Sequence, residues 1–144
     1  MRTILGIALR LASPLLLLPM LAGCDVFTGT ESLLSRAEQR LEAGNYGEAL
    51  VDLRNVLDKK PDDVRALLAL AQLSVQTGDH PTAERMLKQA EKSGADLAQV
   101  ADIQARLMLE RNQFQQLFTS IIAGTLPVPE PQLSLYRARA LAGL

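Results

Sequence analysis

The chain has 144 residues with three Phe, two Tyr and no Trp, so it makes at most one ordinary domain, packed with small and aliphatic side chains. Val, Ile and Thr do not gather in alternating runs, which argues against a sheet and for an all-α fold. Arg2 and Arg10 are the only charges in the first 24 residues, and residues 25–144 carry 13 basic and 16 acidic groups. That excess of acid is too small to imply nucleic acid or an anionic surface as partner. A single cysteine excludes an internal disulfide, and no Cys/His pattern has the spacing of metal ligands.

Met1 to Arg10 is basic, and Leu11 to Met20 is an apolar run of ten. Such a run is too short to cross a bilayer of about 30 Å as a helix, but it suits the h-region of a secretory signal. Leu21, Ala22, Gly23 and Cys24 follow at once. This ending resembles the bacterial lipobox. The resemblance implies a signal peptide over 1–23, cleavage before Cys24, diacylglycerol on its thiol and acylation of the new amino group. The covalent lipid on Cys24 is then the only attached group expected, with no cofactor and no metal. Several acyl chains hold firmly where one binds reversibly. A Gram-negative envelope location facing the periplasm follows from the same resemblance. Asp25 slightly favours the inner membrane over the outer. The competing readings are a plain signal peptide with an incidental cysteine, or an uncleaved apolar anchor.

Residues 24–30 read as the lipidated Cys and a short polar tether, with the first helix starting near Glu31 and Ser32 or Ser35 as its cap. Leu33, Leu34, Ala37 and Leu41 give that helix one apolar face. Gly44 ends it, Asn45 is the expected cap of the next, and Ala49, Leu50, Leu53, Val56 and Leu57 form the next buried stripe. Pro61 closes this first unit, 31–63. In the second unit, 64–97, Val64, Leu67, Leu68, Leu70, Ala71, Leu73 and Val75 load the first helix. Gly78 makes the turn, Asp79 caps, Pro81 sits in the first turn of the second helix, and Ala83, Met86, Leu87 and Ala90 face inward. The third unit, 98–126, is degraded: Asn112 replaces the turn glycine, and three prolines follow between Gly124 and Pro131. Residues 127–144 then read as the first helix of a fourth, incomplete unit, with Leu135, Leu141 and Leu144 left as a surface for another helix. The spacing predicts an array that continues.

Gly44-Asn45-Tyr46-Gly47-Glu48-Ala49 and Gly78-Asp79-His80-Pro81-Thr82-Ala83 lie 34 residues apart, and Asn112-Gln113-Phe114 repeats the first half after another 34. This layout resembles the tetratricopeptide repeat, a helix-turn-helix unit that stacks into an α-solenoid. In that family a bulky residue stands early in the first helix, here Leu33, Leu67 and, weakly, Ala101. Small residues stand where the helices cross, here Ala37, Ala71 and Ala105. The turn falls at Gly44, Gly78 and Asn112, with an aromatic position after it at Tyr46, His80 and Phe114. Ala49 and Ala83 match the alanine of the second helix, while Leu117 departs. Pro61 and Pro129 match the exit proline, while Ala95 departs. Arg36 and Arg40 stand where Leu and Tyr are usual, which predicts a looser first repeat. A lipobox, a brief tether, a Gly-Asn-Tyr repeat and a Gly-Ala-Asp segment together resemble the long tetratricopeptide lipoproteins of the PEP-CTERM/exosortase system. Those accompany exopolysaccharide production and protein sorting.

No catalytic constellation is present, and the sole histidine, His80, falls at a packing position, so no enzyme and no small-molecule substrate are expected. Binding of a protein or peptide remains. The first helices should line a concave groove through Leu34, Glu38, Leu41, Arg65, Leu68, Gln72, Asp102, Arg106 and Leu109. Arg65 and Arg106 are candidates to clamp a peptide carboxylate, set against the reading that they are ordinary solvated arginines. The leading expectation is a lipid-anchored scaffold of an exopolysaccharide or sorting assembly. The alternatives are an assembly lipoprotein of a type IV pilus or of outer-membrane β-barrels, and a docking arm for a catalytic domain beyond Leu144.

Overall fold

The computed structural model describes residues 24–144; the leader, with Leu21, Ala22 and Gly23, lies outside them. Among the described residues there are seven helices and no strand. They are α1 (Cys24–Glu42), α2 (Tyr46–Lys59), α3 (Val64–Gln76), α4 (His80–Lys92), α5 (Leu97–Glu110), α6 (Phe114–Ile122) and α7 (Gln132–Gly143). Within this set no helix is long and apolar enough to cross a membrane. Helices pair closely as α1 with α2 and α3 with α4, whereas α6 packs chiefly on α7 and more lightly on α5. Each new pair leans on the one before, α3 on α2 and α1, α5 on α4 and α3, and α7 packs on α6 and α5 in the same way. Successive helix pairs that touch only their neighbours make an α-solenoid, here with a third pair less tightly closed than the first two.

The turns are set locally. Gly44 (φ +74°), Gly78 (φ +77°) and Asn112 (φ +57°) occupy the left-handed region that a tight helix exit needs. Asn112 serves because its short polar side chain visits this region more readily than most. The exit carbonyls are taken up by chain that has just reversed: Asn45 N–H donates to the Arg40 carbonyl and Gln113 N–H to that of Met108, both at 2.8 Å. At the next helix starts, Asp63 accepts from Ala66 N–H (3.1 Å), Asp79 from Thr82 N–H (3.2 Å) and Asp96 from Ala98 N–H (3.0 Å). Asn45 stands at the N-cap of α2 without a side-chain bond, so it does not act as the cap the sequence predicts.

The tether expected over 24–30 is instead helical backbone, since α1 starts at Cys24 rather than near Glu31. Nothing between Asp25 and Glu31 blocks a helix: there is no proline, and one glycine costs only about 1 kcal/mol relative to alanine. Ser32 lies inside this helix and bonds back to the Gly29 carbonyl at 3.2 Å rather than capping a new start.

Two clusters form the core. The first runs from Leu34 and Ala37 of α1 through Leu53 and Val56, Leu67 and Leu70, and Met86 and Leu87, to Val100, Ile103 and Leu107 of α5. The second joins Ala101, Ala105 and Met108 of α5 to Leu117, Ile121, Leu126, Val128, Tyr136 and Ala140. α5 therefore buries two faces, one in each cluster. Ala37, Ala49, Ala71, Ala83 and Ala105 are all fully buried, small side chains that let the helix backbones approach.

Arg36 and Arg40 do not loosen the first pair. They clamp Asp52 of α2, which is 2% exposed. Arg36 grips it with two bonds (2.6 and 2.8 Å) and Arg40 with one (2.5 Å). A carboxylate held by two guanidiniums replaces apolar packing between α1 and α2, and among the described residues no buried side-chain polar atom is left without a partner.

Candidate functional site

The first helices of the three pairs, α1, α3 and α5, stand side by side and leave a furrow of about 590 Å³. α3 supplies its centre through Arg65, Leu68, Ala69 and Gln72. α1 flanks it with Glu38, Leu41 and Glu42, and α5 with Asp96, Gln99, Asp102 and Ile103. Pro129, from the connection before α7, and Gln132, the first residue of α7, close one edge. The helical period explains the arrangement: on α3, positions 65, 68, 69 and 72 share one face, while Leu67, Leu70 and Leu73 turn to the opposite side. There a second hollow of about 440 Å³ opens between α2, α3 and α4. Tyr46 lines that second hollow and is 39% exposed, so the first of the expected aromatic packing positions is not a core residue. His80 and Phe114 are half-buried.

Six of the nine expected groove residues meet in the furrow: Glu38, Leu41, Arg65, Leu68, Gln72 and Asp102. Leu34 does not. It is 1% exposed, because Thr30, Leu34 and Ala37 lie on the face of α1 that is turned inward, and the furrow begins one turn later. Leu109 is partly buried against the second core cluster instead of lining the furrow. Arg106 stands beside the furrow, ion-paired with Asp102 at 2.8 Å and donating from Nε to the Tyr136 hydroxyl at 3.1 Å. Tyr136 in turn donates to Asp102 at 2.6 Å. Burial first, and then this bond to a carboxylate, push the Tyr136 phenol above its ordinary value, so the O–H stays protonated and donates.

Arg65 is engaged as well, by Glu31 at 2.8 Å and Glu38 at 2.9 Å, which joins α3 to α1 across the furrow wall. Neither arginine offers a free guanidinium to a peptide carboxylate.

The same helix-pair geometry, small crossing residues and left-handed turns recur along the chain with the 34-residue spacing. Residues 40–107 match the family model of the tetratricopeptide repeat. The tetratricopeptide match runs from the last turn of α1 through α4 and most of α5, and so includes α3 with the centre of the furrow. No curated protein and no solved structure matches the chain. Tetratricopeptide repeats are typically non-catalytic scaffolds for protein interaction, and the all-α solenoid is the architecture they build.

The furrow also takes in residues that the sequence does not single out for it, Glu42, Ala69, Asp96 and Gln99 among them. Glu42 directly follows the apolar stripe of α1, and Asp96 stands at the N-cap of α5, so neither is marked as a groove residue by helical spacing. The Asp52 clamp had a readable signal: an acid inside the buried stripe Ala49, Asp52, Leu53, Val56, with two arginines one turn apart on the preceding helix.

Proposed function

We propose that this protein is a lipid-anchored scaffold of a Gram-negative envelope, facing the periplasm and holding a protein partner in extended form along the furrow of α1, α3 and α5. The furrow itself is the observation that carries the docking part of this reading. It crosses three helices, has a part-apolar floor at Leu41, Leu68 and Ala69, and is rimmed by polar side chains. A channel of this shape suits a strand-like segment whose backbone can reach Gln72 and Gln99 while its apolar side chains settle on the floor. Support for the anchor comes from Leu21, Ala22, Gly23 and Cys24 after the apolar run. Support for an exopolysaccharide or PEP-CTERM sorting assembly comes from the joint resemblance of lipobox, Gly-Asn-Tyr repeat and Gly-Ala-Asp segment. The inner membrane is the slightly favoured site because of Asp25.

A photoreactive amino acid placed at Gln72, in the native host, tests the reading. Crosslinks to polysaccharide-export or sorting components that disappear when the label is moved to Lys88, outside the furrow, are the expected result. Crosslinks to a pilus secretin or to barrel-assembly subunits would instead favour an assembly lipoprotein of those machines. In parallel, Cys24→Ser should move the protein out of the detergent phase of a Triton X-114 partition. Unchanged partitioning would remove the lipid from the proposal.

A further inference from the structure

The charges of the furrow narrow what it accepts, and this inference rests on the docking reading above. Five carboxylates stand in or beside it, Glu31, Glu38, Glu42, Asp96 and Asp102, against two guanidiniums, Arg65 and Arg106. Both guanidiniums are spent on their neighbours, Arg65 on Glu31 and Glu38, and Arg106 on Asp102. Glu42, on the last turn of α1, and Asp96, at the start of α5, have no ion-pair partner among the described residues. They therefore flank α3 from both sides with carboxylates that no basic side chain neutralises, Asp96 keeping its bond to the Ala98 N–H, while Leu41, Leu68 and Ala69 lie between them. An incoming carboxylate would meet like charge on both walls. An incoming ammonium or guanidinium would meet opposite charge on both.

We infer that the furrow selects a cationic segment: an extended peptide with apolar side chains on the floor and a Lys or Arg on either side, received by Glu42 and Asp96. The attraction is solvent-exposed and therefore screened, with a Debye length of about 8 Å at physiological ionic strength. It sets preference between peptides rather than supplying the whole affinity.

Three fluorescein-labelled decapeptides test this on the full chain by fluorescence polarisation. They are alike except that the two positions flanking a central Leu-Leu pair hold Lys, Glu or Ser. The Lys peptide should bind about tenfold more tightly than the Glu peptide at low salt, and the gap should narrow as salt is raised. Glu42→Gln with Asp96→Asn should abolish most of the preference while leaving the melting curve unchanged, because Asn retains the N-cap bond that Asp96 makes. Equal binding of all three peptides, tighter binding of the Glu peptide, or a preference that survives the double variant would overturn the charge inference and leave the furrow as a docking site. Absence of binding by all three, or binding that ignores a bulky Gln72→Trp block, would overturn the docking reading itself.

Discussion

At the scale of single residues, Asp52 is the side chain with most at stake. Its carboxyl is held below the ordinary aspartate value of 3.8, first by the hydrogen bond from Arg36 and then by the charges of Arg36 and Arg40, which together outweigh burial. The folded state therefore binds this proton less readily than the unfolded chain does. The resulting stabilisation is complete above the ordinary aspartate range and drains away as pH falls through about 4 toward the lowered folded value. Asp52→Ala should cost about 2 kcal/mol at pH 7, since it removes the charge-assisted bonds from Arg36 and Arg40, which are exposed enough to turn to solvent. Urea denaturation of wild type and variant would show it, with the gap between them shrinking at pH 3. A gap of the same size at both values would mean that the cost is lost packing and not charge. Residue type alone does not show this; the signal is the position of the acid inside the buried stripe of α2, matched by two arginines one turn apart on α1. An aspartate on a helix is ordinarily a solvated residue, and only the tertiary meeting of α1 and α2 turns it into a core one.

At the scale of elements, the legible features are the ones that act locally. Gly78 and Asn112 announce their turns because the left-handed backbone restricts which residues fit, whatever the rest of the chain does. Asp79 and Asp63 announce helix starts for a similar reason. What escaped needs neighbours. Leu34 and Leu68 sit 34 residues apart and look equivalent, yet the first is core and the second is furrow, although the next positions in register, Ala37 with Ala71 and Glu38 with Gln72, do behave alike. The start of α1 escaped too, since a run of polar residues with one glycine reads as tether but is compatible with helix. Packing between elements leaves little room at the crossing alanines. Ala71 is fully buried, and Ala71→Leu should cost roughly 1–3 kcal/mol by driving α3 away from its neighbours. A lowered melting temperature would register it. Gly143 is a second close approach, because a Cβ there would run into the Phe114 ring, so a side chain at that position would have to displace either the ring or α7.

Across the whole molecule, the two core clusters meet at α5, which buries Val100, Ile103 and Leu107 in one and Ala101, Ala105 and Met108 in the other. Stability in such an array is a sum of local pairings, so its ends open separately. The α6–α7 end rests on the smaller cluster and on the Tyr136 hydroxyl. Tyr136→Phe removes the bond to Asp102 and the acceptor for Arg106. Amide exchange in α7 should quicken in that variant, while α2 keeps its protection. Equal acceleration in both would show a single cooperative unit. Asp102 belongs to two structures at once, being a wall of the furrow and the anchor of α7. A cation that reached past Glu42 and Asp96 to this carboxylate would compete with Tyr136 and Arg106, so its binding and the seating of α7 would each weaken the other by the same factor. The seating of α7, whose first residue Gln132 itself borders the furrow, would then report on what the furrow holds.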